Sequence, residues 1–155
     1  MTIISEWFST LKQIFSSAGQ FYEEETDTTI GGKPIRIALV SLLLSGLFSS
    51  AYTLVAMPGE MKAMALLDIV ITPVAGLIGL GVSAALTHLV GMLLGFKNGY
   101  SETFSAFAYA TVIAPVAGLL AFVPILGAFV SLVLGIFSVY VQIKGVQKFQ
   151  EISLG

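Results

Sequence analysis

Apolar and polar positions alternate along this chain with two different rhythms. Over residues 1–22, Ile4, Trp7, Phe8, Leu11, Ile14, Phe15, Ala18, Phe21 and Tyr22 recur at helical spacing. Glu6, Ser9, Lys12, Gln13, Ser16, Ser17 and Gln20 occupy the opposite face. That period predicts an amphipathic α-helix. Two placements suit it. It lies in the membrane interface with Trp7 as anchor, or it packs on the protein's own cytoplasmic face. No basic stretch precedes a long apolar run, so it does not read as a cleavable signal.

From residue 35 the rhythm disappears and nearly unbroken apolar runs replace it. Before them, the acidic Glu23-Glu24-Glu25 and Asp27 lead into Gly31-Gly32-Lys33-Pro34, which reads as a linker over 23–34. The acidic run is either a solvated loop or a contact for a basic partner. A first span is predicted over about 35–57, stopped by Pro58-Gly59. A second covers 69–96; its length of about 42 Å exceeds the roughly 30 Å hydrocarbon core, so it reads as one tilted helix, kinked or begun near Pro73. The polar turn Lys97–Glu102 separates it from a third span at 104–122 and a fourth at 124–143. The last two form a tight hairpin in which Pro124 suits the first turn of its helix. That turn lacks polar residues, so it sits in the interface or under protein. Residues 35–148 form the bundle and 149–155 a tail.

Composition agrees with this pattern. Of 155 residues, 56% are apolar and 10% charged, where a soluble domain carries about 25% charged. Mean hydropathy is +0.95. A soluble monomer is excluded, and the lipid bilayer is the first expected partner. The net charge of −2 offers no basic patch for phosphates, so no nucleic acid is expected. With four spans, Lys12, Lys33, Arg36, Lys97, Lys144 and Lys148 share one side and Lys62 lies on the other. This bias predicts a multi-pass cell-membrane protein with both termini in the cytoplasm.

The spans carry small residues four apart. The second holds Ala75, Gly79, Ser83, Thr87, Gly91 and Gly95; the third Ala106, Ala110, Ala114 and Gly118; the fourth Gly127, Ser131 and Gly135. In lipid, such residues let helices approach closely. Gly79, Gly91, Gly95, Ala110, Gly118, Gly127 and Gly135 are thus candidate packing positions, with a spare stripe suited to a homo-oligomer. Ionisable groups near the spans are Asp68, His88, Glu102 and Lys144. Asp68 and Glu102 suit helix N-termini, where negative charge complements the dipole. His88 lies about 13 Å inside the end of its span. It is a proton relay or polar lining, or it bonds to a neighbouring helix. Ser83, Thr87, His88 and Tyr109 form the candidate intramembrane polar site. Trp7, Phe8, Glu23, Glu24 and Glu25 form the candidate contact surface for a partner or the interface.

Catalytic constellations are missing. With one His and no Cys, no Cys–His pair or His-rich metal site arises. Asp68 and His88 stand about 30 Å apart along one helix, which rules out a triad. No enzyme, cofactor or metal is expected.

Several segments resemble a known family. Ile14-Phe15-Ser16-Ser17-Ala18-Gly19-Gln20-Phe21-Tyr22-Glu23-Glu24-Glu25, then Gly31-Gly32-Lys33-Pro34, is similar to the opening of prokaryotic Yip proteins, the Ypt/Rab-interacting membrane proteins. Thr87-His88-Leu89 through Gly95, then Gly99-Tyr100-Ser101-Glu102-Thr103-Phe104, resembles the family's exit from its second span. Ala108-Tyr109-Ala110, Val123-Pro124-Ile125-Leu126-Gly127, Tyr140 and Gly145 resemble its later pattern. Ala18 stands where the family usually has a proline, and eukaryotic members are usually described with five spans. The resemblance implies a multi-pass protein with a cytoplasmic N-terminus, related to proteins of vesicle traffic that contact small GTPases. Taken together, an all-α, four-span membrane bundle with an N-terminal interfacial helix is expected. Its expected role is a non-enzymatic membrane organiser or adaptor with a protein partner at its N-terminal region. The alternative is a small transporter or channel with a narrow path around His88.

Overall fold

The computed structural model describes residues 2–120, 122–123 and 125–152. The expected role of Pro124 at a helix start therefore lies outside the described residues, as do Ser153–Gly155 of the tail. Helix α1 spans Ile3–Glu24, opened by Thr2, whose hydroxyl accepts from the Ser5 amide. It bends at Ser17, where the backbone is extended. Helix α2, Lys33–Ala56, begins with Pro34 in its first turn, where the missing N–H breaks no helical bond. A 3-10 turn, Gly59–Met64, leads to α3, Ala65–Leu93. Then come α4, Tyr100–Ala110, a 3-10 turn at Thr111–Ile113, α5, Ala114–Leu120, and α6, Leu126–Phe149.

Four segments are long and apolar enough to cross a membrane: Lys33–Ala56, Lys62–Leu93, Tyr100–Leu120 and Gly127–Phe149. The fold is an all-α, four-span bundle with an amphipathic helix in front. The second span starts earlier than its charge-free stretch and runs straight through Pro73 as helix. The fourth extends to Phe149, past Lys144 and Lys148. The third is interrupted. Pro115 lacks an amide for the Thr111 carbonyl and crowds it, so the chain tightens into the 3-10 turn just before it. The Thr111 hydroxyl bonds back to the Ala108 carbonyl at 2.6 Å.

This interrupted span is the centre of the bundle. Thr103, Ser105, Ala106, Ala108, Tyr109 and Val112 are fully enclosed. Helices α3 and α6 flank it and turn rows of large apolar side chains outward. Ile78, Val82, Leu86 and Leu89 do so on α3, and Leu132, Ile136, Val139 and Ile143 on α6. In water such faces would drive aggregation; in lipid they match the solvent. The turn between α5 and α6 is not covered by protein, since Phe122, Val123 and Ile125 are exposed. Of the two placements expected for it, cover by protein is not what these three residues show.

Close approach comes from glycines other than most of those anticipated. A Cβ on Gly46 of α2 would sit 3.0 Å from the Asp68 carbonyl of α3. One on Gly76 would strike the Leu42 side chain. One on Gly145 of α6 would press on the Tyr22 ring and come within 2.8 Å of Ala106 Cβ. By contrast, Gly79 and Gly135 have nothing within 4 Å, so neither holds helices together in this chain. Gly95 is a helix terminator, with φ of +93°, the Phe96 amide bonded to the Gly91 carbonyl and the Gly95 amide to that of Met92. Gly91 makes room for the Phe96 ring that folds back over it, not for a neighbouring helix. Gly118, facing Phe48 at 3.5 Å, and the buried Ala110 do sit at helix contacts, and Gly127 is buried at the start of α6.

Candidate functional site

Three polar arrangements stand out at the end of the bundle that carries α1, the 94–99 turn and residues 150–152. In the first, His88 of α3 faces α4. Its Nδ1 lies 3.2 Å from Thr103 Oγ1. The buried Gln150 reaches the same oxygen with Nε2 at 3.0 Å and also donates to the Gly99 carbonyl. Its Oε1 accepts from the Asn98 amide at 2.9 Å, while the Asn98 side chain donates to the Phe149 carbonyl. The Thr103 hydroxyl thus accepts from Gln150 and pairs with His88 Nδ1 at once. The rings of Phe96 and Tyr100 flank the imidazole, each about 6.1 Å away between centroids. The Tyr100 hydroxyl in turn bonds to the Gly81 carbonyl at 3.1 Å. The set joins the ends of α3, α4 and α6 and spends the polar atoms on one another.

The second arrangement fixes the linker. Asp27 accepts from the Thr29 hydroxyl at 2.6 Å, from the Thr29 amide and from the Lys33 amide at 2.8 Å. Partial burial pushes its carboxyl up. The hydrogen bonds of Thr29 and Lys33 and the charge of Arg36 outweigh that and hold it below the usual carboxylate range. The Lys33 ammonium is ion-paired with Glu25 and sits 5.8 Å from the ring centres of both Phe21 and Tyr109. The Tyr109 hydroxyl donates to the Asp27 carbonyl at 3.0 Å.

The third is the seat of α1. Trp7, Thr10, Ile14, Ala18, Phe21 and Tyr22 are buried against the bundle. The Tyr22 hydroxyl donates to the Ala106 carbonyl at 3.1 Å, and complete enclosure pushes its ionisation far above the ordinary phenol range. Ile4, Phe8 and Phe15 remain exposed, as do Glu23 and Glu24.

These placements correct several sequence expectations. Trp7 is no interfacial anchor or partner contact: it is 4% exposed and donates to Ser41 Oγ. Its indole N–H finds a hydroxyl inside the bundle, so the ring can be buried there without leaving a donor unpaired. Glu25 is taken up by Lys33 and does not offer itself to a partner. Ser83, Thr87, His88 and Tyr109 do not line one path. Ser83 points outward, and Tyr109 belongs to the linker cluster, while His88 belongs to the Gln150 network. Gln150, Asn98 and Thr103 were not foreseen as site residues. An amide just past a span, opposite a polar turn, was the available signal. Asp68 does more than complement a dipole: it accepts from Ser49 at 3.3 Å and Thr53 at 3.1 Å, tying α2 to α3. Among the described residues, no three His, Asp or Glu side chains converge as metal ligands.

The family model described as the Yip1 domain matches residues 12–155. No curated protein and no solved structure matches.

Proposed function

The chain belongs to the Yip1-domain family, and from that premise we infer a non-enzymatic membrane organiser or adaptor. Its working surface is the outer side of α1. The observation that carries this reading is the two-faced seating of α1. One face is locked into the bundle by Trp7, Ile14 and Tyr22; the other leaves Ile4 and Phe8 exposed near its start and Glu23 and Glu24 exposed at its far end, while Phe15 is half-covered by Phe137 of α6. A helix held rigidly at this level lays its apolar side chains into the headgroup boundary and presents its carboxylates to a partner. In this reading both termini are cytoplasmic and the protein resides in the cell membrane. Lys12, Lys33, Arg36, Lys97, Lys144 and Lys148 on one side, against Lys62 on the other, support that orientation. The outward stripe Ala75, Gly79 and Ser83 on α3 suits a second copy.

The alternative of a transporter or channel loses its main support, because His88 and Tyr109 belong to separate networks and Ser83 points outward. Liposomes test both readings. The organiser reading expects vesicle size or clustering to change with the wild type and to revert with Ile4→Glu and Phe8→Glu together. It also expects no proton or small-solute flux that depends on His88. Flux lost on His88→Ala, with vesicle morphology untouched, would overturn it.

A further inference from the structure

A cavity of about 540 Å³ opens between α3 and α6 over the surface of α4, lined chiefly by Thr87, Phe96, Phe107, Gln142, Val146 and Gln147. At Phe107 and Gln142 it meets a second hollow of about 300 Å³ that continues to Ser138, Gly135 and Ser131. At Gln147 and Ile152 it meets a polar cleft of about 390 Å³ that holds Glu23, Lys144, Lys148 and Glu151. The two hollows form one apolar groove on a single face of α6, and the polar cleft, further round the helix toward α1, borders its end at Gln147 and Ile152 as a charged mouth.

We propose that this groove and mouth bind one zwitterionic aminophospholipid, its acyl chain along α6 and its headgroup among the four charges. From Gln147 to Ser131 the groove follows α6 for about 24 Å, further than the roughly 15 Å depth of one leaflet. A chain entering at Gln147 stays inside it throughout. The groove faces the bilayer, so an acyl chain is the material at hand to fill it. Polar groups along it are few, and Gln142 makes no hydrogen bond among the described residues.

The mouth fixes the headgroup chemistry. Two ammonium groups and two carboxylates share the cleft, yet among the described residues no ion pair joins them; the bridges that form are Lys33–Glu25 and Arg36–Glu6. Lys144 and Lys148 match a phosphate, and Glu23 and Glu151 match a primary ammonium. An anionic headgroup would satisfy the lysines and meet two carboxylates. A choline would bring charge without an N–H to donate.

Purified protein mixed with dioleoyl phosphatidylethanolamine, phosphatidylcholine or phosphatidylglycerol, with bound lipid counted by native mass spectrometry, tests the site. Phosphatidylethanolamine should be retained about tenfold more than either of the others. Lys144→Ala with Lys148→Ala should abolish that retention. Glu23→Gln with Glu151→Gln should raise phosphatidylglycerol to the level of phosphatidylethanolamine. Gly135→Trp, whose side chain enters open space, should release dioleoyl lipid more than a dilauroyl analogue. Equal retention of the three lipids by the wild type would overturn the proposal. So would undiminished phosphatidylethanolamine retention in a double lysine variant of normal thermal stability.

Discussion

Trp7 Nε1 donates a 2.8 Å hydrogen bond to Ser41 Oγ, joining the amphipathic helix to the first span across 34 positions of sequence. Ser41 passes its own hydrogen to the Ile37 carbonyl, so the pair leaves no polar atom over. The indole and Phe8, its neighbour in sequence, have opposite roles. Trp7→Ala should cost about 3 kcal/mol by emptying a packed site and should lower the unfolding temperature in detergent. Phe8→Glu should leave that temperature within a degree or two and Trp7 emission unchanged, because the indole keeps its enclosed seat. A large stability loss from Phe8→Glu would mean that α1 is held from outside.

Glycine substitutions should separate according to what each would meet. Gly145→Leu forces a side chain into the Tyr22 ring and Ala106, and Gly46→Leu pushes α2 off the Asp68 backbone. Each should destabilise by about 1–3 kcal/mol or prevent folding. Gly79→Leu and Gly135→Leu enter open space, so monomer stability should hold. Size-exclusion and thermal denaturation of the four variants side by side check the split. If Gly79→Leu shrinks an oligomer while leaving the protomer's melting unchanged, the outward stripe is an interface between copies.

Gln150→Leu is the sharper test of the His88 network. It removes the partners of the Asn98 amide, the Gly99 carbonyl and Thr103 at once, so about 2–3 kcal/mol should be lost. His88→Ala removes one contact to Thr103 and should cost less. Hydrogen exchange at the 98–103 amides, read by mass spectrometry, should rise strongly in the first variant and weakly in the second.

Acid should loosen the linker late. The carboxyl of Asp27 is held below its unfolded value near 3.9, so its contribution is fully present above that value and is lost as pH falls through the lower folded one. Protease sensitivity of residues 25–32 should stay flat from neutrality to about pH 4 and rise below it. Asp27→Asn should show the acid form's sensitivity already at pH 7.

The four apolar spans and the two-faced first helix were legible because periodicity and run length record them directly. Pro115 was visible too, but its effect on the third span depends on Thr111 being unable to keep its helical partner, a register detail that an apolar run hides. The glycines misled because small residues every four positions record only that a helix can be approached. Gly145 and Gly46 are used because Tyr22 and Asp68 arrive opposite them, whereas Gly79 meets no partner. The polar site was half legible. His88 and Tyr109 were conspicuous as rare polar residues in lipid-facing sequence, yet Gln150 and Asp27, which complete their networks, looked like ordinary loop residues. Nothing local shows that residue 150 returns to residue 98.

The seating of Tyr22 sets an order of assembly. Its hydroxyl needs the Ala106 carbonyl, and its ring packs on Gly145 and Phe149. During synthesis the Tyr22 end of α1 therefore leaves the ribosome long before the groups that will enclose it exist. Until the fourth span inserts, the Tyr22 end of its apolar face lacks the Gly145 and Phe149 surface it packs on. Trp7 meets Ser41 as soon as the first span is in place, whereas Tyr22 is enclosed only when the third and fourth spans arrive, so the seat of α1 closes from its start toward its end.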